Sequence, residues 1–263
     1  MTMDFETLEI ATVDQHVLVV TLNRPDAANA MNTQMGRDLH ALFGGLILDT
    51  EDYRCVVMTG RGKAFCAGGD LKERRGMDDM AWQKQHAIFE QAVYALMDNP
   101  LPTICAVNGA AYGGGCELAL ACDFAFGSDT SRFALTETSL GIMPGAGGTQ
   151  TLPRAVGLRR AKQLIFSAMP FSAAEAHEWG LLNAVHPGDE LLPETLKVAR
   201  RIAANAPIAV RQAKRAMQIG YDLDLKTGLA LEIEAYNRMV PTADRREGVL
   251  AFNEKRPPRF AGR

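Results

Sequence analysis

Thr103-Ile-Cys-Ala-Val-Asn-Gly-Ala-Ala-Tyr-Gly-Gly-Gly-Cys-Glu-Leu-Ala-Leu-Ala-Cys122 joins a short apolar strand to an apolar helix through a glycine triplet. Residues 103–107 are apolar without a break, which fits a strand buried on both faces. Glycines 113–115 open a helix that runs to about Cys122. Each glycine in a helix is unfavourable by roughly 1 kcal/mol against alanine. A triplet there implies that the backbone comes close to something a side chain would block. Glu117 lies in the first helical turn, where the helix dipole favours a carboxylate. Its apolar neighbours equally suit a semi-buried catalytic carboxylate.

The same texture extends outward. Residues 54–59 read as another short buried strand, and residues 123–126 begin a third. Residues 33–48 read as a helix with Thr33 as N-cap, weakened by Gly44-Gly45. Residues 81–97 read as a helix with Ile88, Ala92, Ala95 and Leu96 on one face, ended by Pro100 and Pro102. Residues 5–10 and 16–22 look like a strand pair turning near residues 13–15. Strands alternating with helices predict an α/β fold with largely parallel sheets. Past residue 157 the pattern turns helical, over 158–168, 172–179, 191–205, 207–219, 225–239 and 242–254. Ser172 and Glu175 have capping-box spacing, and Gly180 suits a helix end. The chain therefore divides into residues 1–199, which carry the chemistry, and an all-helical region over 200–263.

Composition excludes several classes. The chain has 263 residues, 47% hydrophobic and 22% charged, with a net charge of -3. That is neither disordered nor biased toward phosphate backbones. The basic clusters at 72–75 and 255–259 read as solvated surface, with contacts to an anionic cofactor as the alternative. Five cysteines, an odd number without a CxxC, suit free thiols in a reducing compartment. Residues 1–10 lack the basic start of a signal peptide, and no apolar run nears the ~18 residues of a membrane span. The expectation is a soluble, cytoplasmic protein that binds neither membrane nor nucleic acid.

Two further segments carry chemistry. Gly60-Arg-Gly-Lys-Ala-Phe-Cys-Ala-Gly-Gly-Asp70 follows a buried strand, and Asp70 can cap a short helix at Leu71. Such a turn presents free N–H groups, that of Ala67 among them, which suit an anion or oxyanion. A plain strand-to-helix turn reads equally well, and without Gly-Lys-Ser/Thr it is not a phosphate loop. Phe133-Ala-Leu-Thr-Glu137 places a second glutamate among apolar residues, ahead of the glycine-rich turn at 144–149. Other catalytic schemes lack their parts. No GxSxG elbow or GxGxxG fingerprint occurs, the five histidines show no metal-ligand spacing, and Cys66 and Cys116 have no evident histidine partner.

Taken together, these segments resemble the crotonase (enoyl-CoA hydratase/isomerase) superfamily. The resemblance rests on residues 22–30, on Ala67-Gly-Gly-Asp70, on Gly113-Gly-Gly-Cys-Glu117 and on Thr136-Glu137. Pro144-Gly-Ala-Gly-Gly-Thr-Gln150 and the tail from Asp244 to Arg256 extend it over the whole chain. It implies a spiral of stacked ββα units with a C-terminal helical region that builds trimers and hexamers. It implies an acyl-CoA thioester substrate, no metal, and no cofactor beyond the coenzyme A of the substrate. The oxyanion hole maps onto the N–H groups of Ala67 and Gly114, and the catalytic pair onto Glu117 and Glu137. Coenzyme A contacts map onto Arg24, Ala27, Ala28, Ala67, Gly68, Gly69, Asp70 and Gly114, with Gly145 helping to hold the water. Two glutamates favour an enoyl-CoA hydratase over an isomerase. The tail is similar to methylglutaconyl-CoA hydratases, whose carboxylated substrate would want a cation such as Arg74 or Arg75. Thr136 and Thr151 stand where the family often has proline and arginine. Some relatives bind RNA through a lysine-rich helix, but the corresponding helix here, from Ala81, holds only Lys84, which argues against that class.

Overall fold

The computed structural model describes residues 4–50 and 52–263. Residues 1–3, part of the segment read as lacking a leader, lie outside the described residues. The chain opens with an antiparallel pair, β1 (Leu8–Val13) and β2 (Val17–Leu22). The helix α1 (Thr33–Leu48) follows. Three successive units then repeat one plan: a long strand, a short strand and a helix or helical turn. They are β3 (Cys55–Gly60) with β4 (Ala64–Cys66), β5 (Thr103–Val107) with β6 (Ala110–Tyr112), and β7 (Phe124–Ser128) with β8 (Arg132–Ala134). The helical parts are α2 (Leu71–Arg74) and α3 (Asp79–Asp98), then α4 (Gly114–Ala121), then a 3-10 turn at Glu137–Leu140.

The long strands build a six-stranded sheet that ends in β10 (Ala184–His186), in the order β1-β2-β3-β5-β7-β10. The short strands build a second sheet with β9 (Phe171–Ser172), in the order β4-β6-β8-β9. All pairings are parallel except β1–β2 and β8–β9. This is the stacked ββα spiral, and the segments singled out in the sequence come after the C-terminal ends of β4, β6 and β8.

Successive residues of β3 face opposite sides of the large sheet. Val56 and Met58 join the core that holds Phe43, Phe65 and Phe133. Cys55 and Val57 instead join Leu191, Ala199 and Ala203 of α8 (Leu191–Ala203). Burial on both faces explains why these strands read as unbroken apolar runs. The remaining helices are α5 (Gly148–Val156), α6 (Leu158–Ser167), α7 (Ala173–Glu178), α9 (Pro207–Gly220), α10 (Leu225–Met239) and α11 (Ala243–Asn253). Lys214 of α9 reaches back to the core, where its Nζ donates to Asp123 Oδ2 at 2.8 Å and to the Leu101 carbonyl at 2.9 Å. The outer face of α10 leaves Leu225, Leu229, Ile233 and Tyr236 exposed. No helix among the described residues is long and apolar enough to cross a membrane.

Several expectations need correction. The N-cap of α1 is Asn32, whose side chain accepts from the Met35 N–H; Thr33 is the first helical residue. The first strand starts at Leu8, because Leu8 is the first residue to pair across the ladder with Leu22. Residues 148–156, which begin inside the segment read as a glycine-rich turn, form a helix despite Pro153. The capping box at Ser172 and Glu175 is present, with the Ser172 side chain accepting from Glu175 N–H and Glu175 accepting in return.

The glycine triplet has the reason its sequence implied. Gly113 caps α4 with φ +52. A Cβ on Gly115 would lie 2.1 Å from the Cys66 carbonyl oxygen, on the backbone of the preceding turn of the spiral. Backbone cannot yield there, so Gly115→Ala is expected to destabilise the protein by about 3 kcal/mol or more. Gly44→Ala meets nothing within 4 Å inside α1 and is expected to stabilise by up to about 1 kcal/mol. Chemical denaturation of both variants checks the pair.

Candidate active site

A cleft of about 630 Å³ opens beside the ends of β4 and β6. That volume is in the range of small-molecule sites. Of the residues singled out in the sequence, Ala67, Gly68, Gly69, Gly114, Glu117, Glu137 and Gly145 line it. Arg24, Ala27, Ala28 and Asp70 are not among the residues that line it. Arg24 donates from Nη2 to Asp70 Oδ2 at 3.0 Å and from Nη1 to the Ala30 carbonyl. Asp70 also caps α2, its Oδ1 accepting from the N–H groups of Lys72 and Glu73. Burial alone would raise the Asp70 carboxyl, but these N–H groups and the Arg24 guanidinium hold it below the usual range. Asn29 is fully buried with φ +55. It accepts from the Arg24 N–H and donates to the carbonyls of Arg61 and Ala64.

The donor expected at Ala67 is moved by this packing. The Ala67 N–H donates to the Ala28 carbonyl at 3.0 Å, so it is already committed within the loop. Two residues on, Met31 and Gly69 pair in an isolated parallel bridge through the bonds Met31 N–H to Gly68 O and Asp70 N–H to Met31 O. That pattern leaves the Gly69 N–H without an acceptor among the described residues. Gly114, the first residue of α4, has a free N–H for the usual reason at a helix start.

Two carboxylates flank the same glycines. A Cβ on Gly113 would lie 3.0 Å from Glu137 Oε1, and one on Gly114 would lie 4.0 Å from Glu117 Oε2. Glu117 is 3% exposed and its Oε1 accepts from the N–H groups of Ala146 and Gly148, both at 2.8 Å. These two partners come from the glycine-rich turn; their proximity to Glu117 was not legible in the sequence. The role given to Gly145 thus has close neighbours in Ala146 and Gly148, while Gly145 itself packs against the His86 ring. Glu137 is 8% exposed, and its Oε2 is buried with no hydrogen-bond partner among the described residues.

The two acids differ accordingly. Burial raises the Glu117 carboxyl, while its two N–H donors and His86 oppose the rise. Burial pushes the Glu137 carboxyl up to about 7, opposed by a bond from its own backbone N–H and by Arg74 and reinforced by the Glu117 charge. Cys66 and Cys116 adjoin the site but are fully buried; burial pushes Cys66 up to about 12 and Cys116 well above the ordinary range. Neither is a thiolate nucleophile at neutral pH. Among the described residues, no three His, Cys, Asp or Glu side chains gather as a metal site requires.

Sequence reasoning missed the open N–H of Gly69, and it missed Ala146, Gly148, Gln85 and His86 as neighbours of the site. Arg74, which it could not place, lies in the cleft with Trp82 and Phe89. The helix pattern of α3 gave no sign that Trp82 and His86 face a cleft or that Gln85 lies behind its wall.

A parallel-stranded spiral with free backbone donors and paired buried glutamates is the arrangement that the crotonase resemblance implies. The enoyl-CoA hydratase/isomerase family matches residues 12–263, and the chain belongs to that family, within the crotonase superfamily. The short-chain-enoyl-CoA hydratase of Clostridium acetobutylicum is 41% identical over 241 residues, covering 91% of this chain and 92% of that one. The mitochondrial methylglutaconyl-CoA hydratase of Homo sapiens is 39% identical over 250 residues, covering 94% of this chain and 74% of that one. The crystal structure of an enoyl-CoA hydratase from Bacillus anthracis superposes with a TM-score of 0.96 at 42% identity, covering 98% and 100% of the two chains.

The desolvation of Glu137 has a consequence for stability. A folded carboxyl near 7 against an ordinary 4.5 binds a proton that the unfolded chain releases. Its contribution is fully favourable below pH 4.5 and is lost as pH rises through 7. Glu137→Gln lacks that loss. Between pH 4.5 and 8 the stability difference is expected to move in favour of the variant by roughly 2–3 kcal/mol. Denaturation curves at the two pH values measure it, and an unchanged difference would mean that the carboxyl is hydrated.

Proposed function

We propose that the protein hydrates a trans-2-enoyl-CoA to a 3-hydroxyacyl-CoA. The observation that carries this reading is the asymmetry of the two glutamates across one cleft. Glu117 has an anion-stabilising cradle of two N–H groups, and Glu137 has an oxygen with none. An ionised base and a protonated acid in one site are what adding water across a double bond requires.

The thioester carbonyl oxygen sits between the N–H groups of Gly69 and Gly114. Each such donor contributes roughly 3 kcal/mol when charge develops on the oxygen. Water is held between the carboxyls, and its oxygen attacks C3. Glu117 takes one of its protons. The C2–C3 π pair moves through the enolate toward the thioester oxygen and returns to C2 as Glu137 gives up its proton there. The product has gained one water, and the two carboxyls have exchanged protonation states, which proton transfer between turnovers restores. Coenzyme A enters with the substrate along the 67–70 loop, and the reaction calls for no separate cofactor or metal.

Isomerisation of the double bond needs only one acid/base group, so the retention of two favours hydration. Methylglutaconyl-CoA, the substrate in the human relative's name, is the narrower alternative, favoured by the placement of Arg74 in the cleft. The exposed apolar stripe on α10 supports self-association into the trimers and hexamers of the family resemblance.

Loss of the enoyl-thioester absorbance of crotonyl-CoA tests the proposal. Glu117→Gln and Glu137→Gln are each expected to lower kcat by about 10²–10⁴-fold. Activity in wild type is expected to fall above pH 7 as Glu137 loses its proton. A Glu137→Gln enzyme retaining activity within a few-fold of wild type would overturn the two-carboxylate scheme.

A further inference from the structure

Arg74 is the one arginine or lysine among the described residues that line the cleft. Its guanidinium lies 4.4 Å from the centre of the Trp82 ring and 5.5 Å from that of Phe89. Its Nε donates to Gln85 Oε1 at 2.8 Å. Gln85 is 3% exposed and is itself fixed, its Nε2 donating to Glu73 Oε2 at 2.7 Å and to Thr33 Oγ1 at 2.9 Å. Glu73 Oε2 also accepts from the Thr33 N–H at 2.9 Å. The one acid next in sequence is therefore turned to α1 and the buried amide.

What remains is a guanidinium held by one edge, with Nη1 and Nη2 bonded to no acceptor among the described residues. It lies over Gly69, where an added Cβ would come within 3.3 Å of Nη1. Burial disfavours the charged guanidinium, Glu73 and Glu137 offset only part of that, and an arriving anion bonded to the open Nη groups lowers the cost further. The planar guanidinium edge suits a carboxylate, which can accept two parallel bonds. Leu140, Ile142 and Met143 also line the cleft and give it apolar surface that suits the intervening carbons. Arg74 shares the cleft with Glu117 and Glu137, where the reacting carbons lie, so the anion belongs to the acyl group and not to the nucleotide of coenzyme A.

We propose that Arg74 is a specificity residue that selects enoyl-CoA substrates whose acyl chain ends in a free carboxylate. This rests on the hydratase reading for its chemistry but not for its geometry. The test compares glutaconyl-CoA, which carries the carboxylate, with crotonyl-CoA, which lacks it. Wild type, Arg74→Met and Arg74→Lys are assayed with both. Wild type is expected to favour glutaconyl-CoA in kcat/KM by at least about tenfold. Arg74→Met is expected to lower that ratio at least about tenfold, mainly through the KM for glutaconyl-CoA, and Arg74→Lys to restore part of it. A wild-type preference for crotonyl-CoA, or an equal loss on both substrates in Arg74→Met, overturns the proposal; the latter would leave Arg74 as a support for Glu137. Binding of the saturated pair, glutaryl-CoA and butyryl-CoA, separates the two readings. If neither enoyl-CoA is hydrated, hydration fails, while a glutaryl-CoA preference lost in Arg74→Met still supports the role of Arg74. Equal binding of the saturated pair by wild type overturns it.

Discussion

The structure depends on the backbone of one turn of the spiral lying directly on the backbone of the turn before it. Gly115 at the start of α4 lies against the Cys66 carbonyl so closely that even a methyl group would overlap it. That approach brings the end of β4 beside the end of β6, and their parallel pairing carries Cys66 level with Ala111. The register continues from Tyr112 to Ala134 on β8. Three short strands therefore end side by side, and the segment leaving each of them enters one cleft: Gly69, then Gly114 with Glu117, then Glu137. Loops on a rigid scaffold are where chemistry is commonly placed. Here the loops are short and their positions are set by strand register.

The same packing produces the electrostatics. A glutamate in the first turn of α4 would ordinarily be solvated and low in pKa. Because α4 is buried against the preceding turn, the Glu117 carboxylate cannot reach solvent, and the turn at 144–148 supplies the hydrogen bonds that water would have given. Glu137 begins a 3-10 turn whose backbone bonds close on themselves, with the Gly141 N–H reaching the Glu137 and Thr138 carbonyls. Its side chain is turned toward the cleft with no protein donor for Oε2. Two identical side chains thus differ in proton affinity: Glu117 meets the N–H groups of two other residues, whereas Glu137 meets only its own and keeps one oxygen without a donor.

Much of this was legible in the sequence, and the limits have physical causes. The strand at Thr103–Val107, the helix at Leu225–Met239 and the capping box at Ser172 follow from local pattern, and each lies where the pattern put it. The second sheet did not show, because strands of two or three residues are too short for any periodicity. The glycine triplet announced a close contact but not its partner, the Cys66 carbonyl, which lies far back in the chain and is reachable only through strand pairing. The Glu117 cradle was hidden for the same reason. Arg74, in a run of charges at 72–75, read as solvated surface or as an anion contact, with Arg75 an equal candidate. Its burial comes from Trp82 and Phe89 on the next helix, a contact between elements that no local pattern specifies.

The oxyanion donor shows how far local reasoning reaches. A glycine-rich turn after a buried strand does present free N–H groups, and the segment was rightly singled out. Which N–H is free is settled by the loop lying beside it. Asn29, held at φ +55 by its buried side-chain bonds, turns the chain so that the Ala28 carbonyl meets the Ala67 N–H and Met31 pairs alongside Gly69. In a parallel bridge alternate N–H groups face away from the partner strand, so the bond from the Asp70 N–H to Met31 leaves the Gly69 N–H turned from it, while the Ala28 carbonyl separately takes the Ala67 N–H. Residues 24–30 thus shape the 67–70 loop without standing in the cleft wall. Their hydrogen bonds decide which backbone amide of the 67–70 loop is left without an acceptor.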